Sequence, residues 1–243
     1  VVLSQKGWVR AAKGFDIDGA TLSYKASDGF KAQTNARSNQ QVVFFDTEGK
    51  VYNVPGHVLP SARGQGEPLT GKLNPADGMS FTTLISGEPN DWVLLTHDAG
   101  YGFLTQLNEL YVKNRNGKAC IKLPANSQLL PPRIVTTQET QMIACVTNIG
   151  RLLLFSALEL PVLTRGKGNK LINIPTAKAA SREEVVIDVQ VISPDEALTV
   201  HAGKRHFTLK AADLLHYQGA RGLRGNRLPR GLQNVTGLQV APK

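Results

Sequence analysis

Five times along the chain an apolar run is followed by about three polar or small residues, a glycine, and a second run with partial alternation. The copies read "VVLSQKGWVR" from position 1, "VVFFDTEGKVY" from 42, "VLLTHDAGYGFL" from 93, "MIACVTNIGRLLLF" from 142 and "ALTVHAGKRHFTL" from 197. Each predicts a β-hairpin: an inner strand buried on both faces, a turn at a residue free to take positive φ, and a half-buried return strand. The turn glycines are Gly7, Gly49, Gly100, Gly150 and Gly203, spaced by 42, 51, 50 and 53 residues. A repeat of this length, too small to bury its own core, predicts stacked or radial units. The fold class expected is therefore all-β, a propeller-like arrangement of five blades of about four strands.

The second half of each repeat is also recurrent. "SARGQGEPLTGKL" (61 to 73), "VKNRNGKACIKL" (112 to 123), "LTRGKGNKLINI" (163 to 174) and "QGARGLRGNRL" (218 to 228) each offer a basic residue, a glycine-bearing loop, further cations and a short apolar strand. The first repeat has "AAKGFDIDGATLSY" instead, with two aspartates where cations stand elsewhere. Helical stretches are few: "LNELYV", "ALEL" and "AADLLHYQ" read as single turns or edge strands before the basic loops, and "SREEVV" as a capped turn.

Composition narrows the partners. The chain has 243 residues, 28 Lys+Arg against 19 Asp+Glu, a net charge of +9 and 41% hydrophobic residues. It can fill a core, and its natural ligands are polyanions, nucleic acid before an anionic membrane surface. No apolar run reaches the roughly 18 residues of a membrane span; "LLLFSALELPVL" contains Glu159 and Pro161. The chain begins at Val1 with no leader-like pattern behind it, so a piece of a longer protein is expected. Cys120 and Cys145 are expected to be buried free thiols.

Several motifs fail on chemistry. Gly66 to Lys72, "GEPLTGK", matches the start of a phosphate-binding loop, but Leu73 replaces the Mg²⁺-binding hydroxyl, and Asn74 and Pro75 replace the helix. "FDIDG" (15 to 19) lacks the later ligands of a calcium loop. His201 and His206 fall on opposite limbs of one hairpin with no Cys or acid close in sequence. No nucleophile elbow or recurring carboxylate pair is present, so the piece is expected to be non-catalytic, without metal or cofactor of its own.

The cations carry the functional signal. Arg63, Arg115, Arg165 and Arg221 recur near the start of the four loops, with Lys72, Lys118, Lys170 and Arg227 a few residues on; Lys113, Lys167, Arg224 and Arg230 extend the set. A surface that follows a polymer of phosphates should repeat its charges. Aromatics make up only 6% and are not interleaved with these loops, which favours backbone contact with duplex DNA over stacking on unpaired bases.

The hairpins, together with "LPSARGQGEPLTGKL", "DAGYGF", "NGKACIKLP", "RGKGNKLINIP" and "RGLQ", resemble the C-terminal domain of the A subunits of bacterial type IIA topoisomerases, the gyrase A / ParC family, over essentially the whole chain. The resemblance implies a β-pinwheel whose blades exchange strands, with positions 1–243 forming one DNA-binding domain of five repeats that bends duplex DNA. It also implies a parent enzyme of the bacterial cytoplasm, at the nucleoid, that requires ATP and Mg²⁺. The cleavage tyrosine of such an enzyme lies N-terminal to this domain in the same polypeptide, and ParE supplies the ATPase. Gyrase has a basic, glycine-rich box in its first repeat; the acidic "AAKGFDIDGATLSY" at that place favours the topoisomerase IV branch, which relaxes and decatenates. Two other readings are an interaction scaffold for an acidic protein and a small-molecule enzyme; the apolar inner strands speak against the latter.

Overall fold

The computed structural model describes residues 1–241. The chain divides into two compact units, one made of Val1–Asp91, Gln106–Lys122 and Thr164–Gly166, the other of Trp92–Thr105, Leu123–Leu163 and the residues from Lys167 on. The first repeat supplies β1 (Val2–Ser4), β2 (Trp8–Arg10) and β3 (Phe30–Gln33). The second supplies β4 (Gln41–Asp46), β5 (Lys50–Pro55), β6 (Glu67–Pro68) and β7 (Phe81–Ser86), and the third β8 (Trp92–His97), β9 (Tyr101–Gln106), β10 (Lys118–Ala119) and β11 (Arg133–Val135). The fourth gives β12 (Met142–Thr147), β13 (Arg151–Ser156), β14 (Asn169–Lys170) and β15 (Val186–Ile192); the fifth gives β16 (Ala197–Ala202), β17 (Arg205–Leu209), β18 (Asn226–Arg227) and β19 (Gly237–Ala241).

Each of the first four sheets is built around one hairpin but takes a strand from the next repeat. The first unit holds the sheets β3-β1-β2-β6 and β10-β5-β4-β7; the second holds β11-β8-β9-β14, β15-β12-β13-β18 and β17-β16-β19. All named strand pairs are antiparallel, such as Cys145 opposite Leu153 in β12 and β13. The two-residue strands β6, β10, β14 and β18 come from the basic loops and pair with the return strand of the preceding repeat. The fifth sheet has three strands, with nothing donated to β17 among the described residues.

The inner strands are buried on both faces, as their unbroken apolar runs predict. In β12, Ile143 and Cys145 join one cluster with Leu94, Leu104, Leu153 and Phe155, while Ala144 and Val146 join another with Leu152, Leu154, Leu198 and Val200. Alternate side chains thus feed two cores from one strand. In the first unit Leu3, Phe44, Tyr52, Leu69 and Phe81 form the core, with the Tyr52 and Phe81 rings edge to face at 5.3 Å. Cys120 and Cys145 are free and buried; burial pushes the Cys120 thiol up to about 12 and raises that of Cys145.

The first four hairpins share one turn, in which the glycine N–H donates to a carbonyl three residues back: Gly7 to Ser4, Gly49 to Asp46, Gly100 to His97 and Gly150 to Thr147. At the second turn Asp46, fully buried, accepts from the N–H groups of Glu48 and Lys50 and from the Tyr52 hydroxyl at 2.7 Å. The fifth hairpin differs, because Ala202 pairs with Arg205 and leaves a two-residue turn, Gly203 and Lys204. Two further expectations are refined. The stretches before the basic loops are short helices, Leu107–Leu110, Ala157–Glu159 and Ala211–Leu214 continued by Leu215–Tyr217. Ser181 both ends the helix Thr176–Ala180 and starts the expected turn, its hydroxyl accepting from the Glu183 N–H at 3.4 Å, and Arg182 beyond it, with φ of 64°, donates to Asp98.

His97 is fully buried in β8, stacked on Tyr101 at 5.7 Å, and among the described residues neither ring nitrogen meets hydrogen-bond geometry with a partner. Burial holds its pKa down to about 4, against the pull of Asp98. The ring is therefore neutral when folded, while the unfolded chain protonates near the ordinary value of about 6.5. Stability is complete above that value and falls as pH drops from about 6.5 toward 4, by up to about 3 kcal/mol at 1.36 kcal/mol per pKa unit. His97→Leu should flatten this part of the urea-midpoint profile against pH; an unchanged slope would show that other groups set it.

Candidate nucleic-acid interface

The basic loops are the segments that donate strands, and a glycine stands immediately before each donated pair. Gly66, Gly117, Gly168 and Gly225 have φ of 89°, 71°, 80° and 76°. At Gly225 a methyl group would sit 2.7 Å from the Leu152 carbonyl oxygen, and at Gly168 it would fall against the carbonyl of Gly102. Close backbone approach and positive φ together demand glycine here. The second glycine of "RGKGNK", Gly168, thus seats a loop on the neighbouring blade.

A hydrogen bond from the residue that follows the donated segment ties successive loops. In the first unit the Asn74 N–H donates to the Arg115 carbonyl at 2.8 Å and the Lys122 N–H to the Gly166 carbonyl at 2.9 Å; in the second, the Asn173 N–H donates to the Leu223 carbonyl at 2.8 Å. Glu67 to Lys72 forms β6 and a single 3-10 turn, Leu69–Gly71, so the phosphate-loop match has no helix behind it. The Asp18 carboxylate in "FDIDG" caps the short helix Gly19–Thr21. The rings of His201 and His206 lie 6.0 Å apart across their hairpin, and no group of three His, Cys, Asp or Glu is placed to hold a metal among the described residues.

The predicted cations divide by what they touch. Arg63, Lys113, Arg165, Arg227 and Arg230 are exposed, and among the described residues their side chains have no hydrogen bond or ion pair. Lys118 donates to the Tyr111 carbonyl at 3.1 Å, and the Lys167 ammonium lies 4.2 Å from the centre of the Tyr101 ring. Lys72 stands 3.8 Å from Glu67, and Lys170 donates to the Asn173 side chain at 3.1 Å. Arg115 donates to the carbonyls of Lys72 and Gly71, and Arg221 to those of Glu159 and Lys170. Arg224 makes a two-point ion pair at 2.8 and 2.6 Å with Glu184, whose side chain is fully buried.

Counted from the seating glycines, Arg63 and Arg165 share one register, three residues before Gly66 and Gly168. Arg115 and Arg221 do not: they lie two residues before Gly117 and four before Gly225. The recurrence read from sequence holds for the loops and only partly for each charge.

Two cations escaped the sequence reading. Arg10, 4% exposed, holds the Gly64 carbonyl at 3.1 Å and the Ser23 carbonyl at 2.6 Å. Arg151 donates to the Gly225 carbonyl at 3.2 Å, and burial, then the neighbouring Arg224 and Arg227, lower its pKa. Both lie in otherwise apolar return strands, and a charge in such a strand is the signal that would have marked them.

With this geometry in view, the fold is the strand-exchanged propeller known as a β-pinwheel. The family model "DNA gyrase C-terminal domain, beta-propeller" matches residues 91–135 and 141–193. A solved structure of the Escherichia coli ParC C-terminal domain superimposes with a TM-score of 0.87 at 45% identity, covering 100% of this chain and 98% of that one. The DNA gyrase A C-terminal domain shares the fold, with a TM-score of 0.72 at 13% identity, covering 99% of this chain and 82% of that one. The A subunit of DNA topoisomerase 4 is 52% identical in Pseudomonas aeruginosa and 46% in Escherichia coli, each over 99% of this chain and 32% of the relative. The chain therefore belongs to the family of DNA topoisomerase 4 A subunits, ParC, and corresponds to their C-terminal domain. It spans about a third of the length of the curated relatives it matches.

The seating role can be measured. Gly168→Ala should cost about 1–3 kcal/mol of unfolding free energy, as strain at positive φ does. Gly64→Ala, with open space around it, should stay within about 0.5 kcal/mol of the parent. Equal urea midpoints for the two variants would refute the seating argument.

Proposed function

We propose that this chain is the DNA-binding and DNA-bending part of ParC in a topoisomerase IV, holding duplex by its phosphates and presenting it to a cleavage gate elsewhere in the enzyme. The observation that carries the reading is the recurrence of cationic loops at strand-exchange sites, with Arg63, Lys113, Arg165, Arg227 and Arg230 left unengaged. Lys72, Lys118, Lys167, Lys170, Arg115, Arg221 and Arg224 complete the basic set around them. Contact of this kind reads shape and backbone rather than base edges, and repeated contacts along a duplex favour its bending.

In this reading the five repeats serve one DNA-binding domain of a longer polypeptide and make no bond themselves. The partners are double-stranded DNA, the N-terminal region of the same polypeptide, and ParE with its ATPase. ATP and Mg²⁺ act elsewhere in the assembly, in the bacterial cytoplasm at the nucleoid. The role is relaxation and decatenation rather than gyrase-type supercoiling. Supporting that choice, the first repeat carries Asp16 and Asp18 where a basic box would stand, and Asp18 is committed to capping a helix.

Fluorescence anisotropy with a random 40-mer duplex across a salt series tests the binding. Log K should fall by several units per tenfold rise in salt, at about 0.9 per phosphate contacted. The triple reversal Arg165→Glu, Lys167→Glu, Lys170→Glu should weaken binding and reduce that slope. Absent or salt-independent binding would overturn the reading in favour of a scaffold for an acidic protein.

A further inference from the structure

We propose that Arg115 and Arg221 are positioning residues rather than phosphate ligands, each holding the basic loop of the preceding repeat in the shape it presents to DNA. The inference rests on the DNA-binding reading. Arg115, in the third repeat, places Nε 2.6 Å from the Lys72 carbonyl and Nη2 2.8 Å from the Gly71 carbonyl, both in the loop of the second repeat. Arg221, in the fifth repeat, places Nη1 2.7 Å from the Lys170 carbonyl, at the end of the strand donated by the fourth, and Nε 2.7 Å from the Glu159 carbonyl.

The same solution therefore occurs twice, once in each unit, although the two arginines occupy different registers relative to their seating glycines. Each lies beside a backbone bond running the other way, from Asn74 to Arg115 and from Asn173 to Leu223. The backbone of Arg221 is itself tied down, its N–H donating to the Glu159 carboxylate at 3.1 Å. Strand pairing and the buried Leu69 and Leu171 anchor the inner side of each loop, and a planar guanidinium with five donors adds a second hold by gripping two carbonyls at set angles. An ammonium is a point charge on a flexible stem and cannot reproduce that grip. What the grip fixes is the backbone of Lys72 and Lys170, whose ammonium groups, with Lys167 alongside, are the cations offered to the duplex. Arg63 and Arg165, in a shared register, with Arg227 and Arg230, are exposed and unengaged among the described residues and are the phosphate ligands of the arginine set.

The test uses the chain with Arg115→Lys and Arg221→Lys, which keep the net charge. Binding of the random 40-mer duplex should weaken roughly fivefold to tenfold in each, with thermal midpoints unchanged. Amide exchange without DNA should quicken at residues 71–74 in the first and 169–173 in the second. Lys170→Gln should cost less affinity in the Arg221→Lys background than in the parent, a coupling that a merely structural lesion would not produce, while Arg63→Gln should lower the salt slope by about 0.9. The proposal is overturned if the lysine variants bind as the parent does while Arg115→Gln and Arg221→Gln each remove about 0.9 from the slope, which is the behaviour of direct phosphate ligands. It is also overturned if amide exchange in the loops is unaltered. If the parent itself fails to bind duplex but the lysine variants still loosen their loops, the DNA reading fails and the loop-holding role of the two arginines stands.

Discussion

The structure depends on a two-residue antiparallel pairing repeated four times: a short strand leaves its own repeat and closes the sheet of the one before. Two residues of ladder are too little to hold by themselves, and the sequence compensates on both sides. Ahead of the strand, a glycine at positive φ lets the backbone lie against the carbonyl of the accepting strand. Behind it, an apolar side chain enters the core, Leu69 after β6 and Leu171 after β14. The basic residues of the same segments divide between the joint and the solvent: Arg115 and Arg221 grip neighbouring carbonyls and Arg224 pairs with Glu184, while Arg63 and Arg165 are exposed. Positive φ and burial act through the backbone and the apolar side chains, a constraint distinct from the loop charges that are left exposed.

This separation explains what could be read in advance. Hairpins and their period are written in apolar runs and glycines, which report burial and turn geometry directly, so the five-repeat, all-β architecture was legible. The double-sided burial of inner strands was legible for the same reason, as in β12, where neighbouring residues serve different cores. The strand exchange came from the family likeness; strands as short as Glu67–Pro68 or Asn169–Lys170 carry no periodic signal.

The site was legible as a set of loops and not as a set of roles. Loop charges at similar places look equivalent in sequence, yet Arg63 and Arg165 are exposed and unengaged while Arg115, Arg221 and Arg224 are bound to carbonyls or to Glu184. A shift of one or two residues from the seating glycine redirects a side chain, and such shifts are invisible without the glycine as a reference point. Arg10 and Arg151 were missed because a basic surface is sought in loops, while these two reach the loops from within strands. The fifth turn falls at Gly203 as expected, and only its tightness was not legible, because its glycine keeps the spacing of the others while the pairing of Ala202 with Arg205 shortens the hairpin.

Borrowing a strand from the next repeat also gives the molecule a direction in time. A ribosome delivers the hairpin of each blade before the segment that completes it, and the successive turn glycines are about 50 residues apart. At roughly 5–20 residues per second, a finished hairpin waits several seconds for its missing strand. During that wait its open edge is available to the wrong neighbour, and a lysine- and arginine-bearing loop is a poor wrong neighbour for another of its kind. The order of synthesis and the order of closure therefore run together, from β6 joining β2 to β18 joining β13.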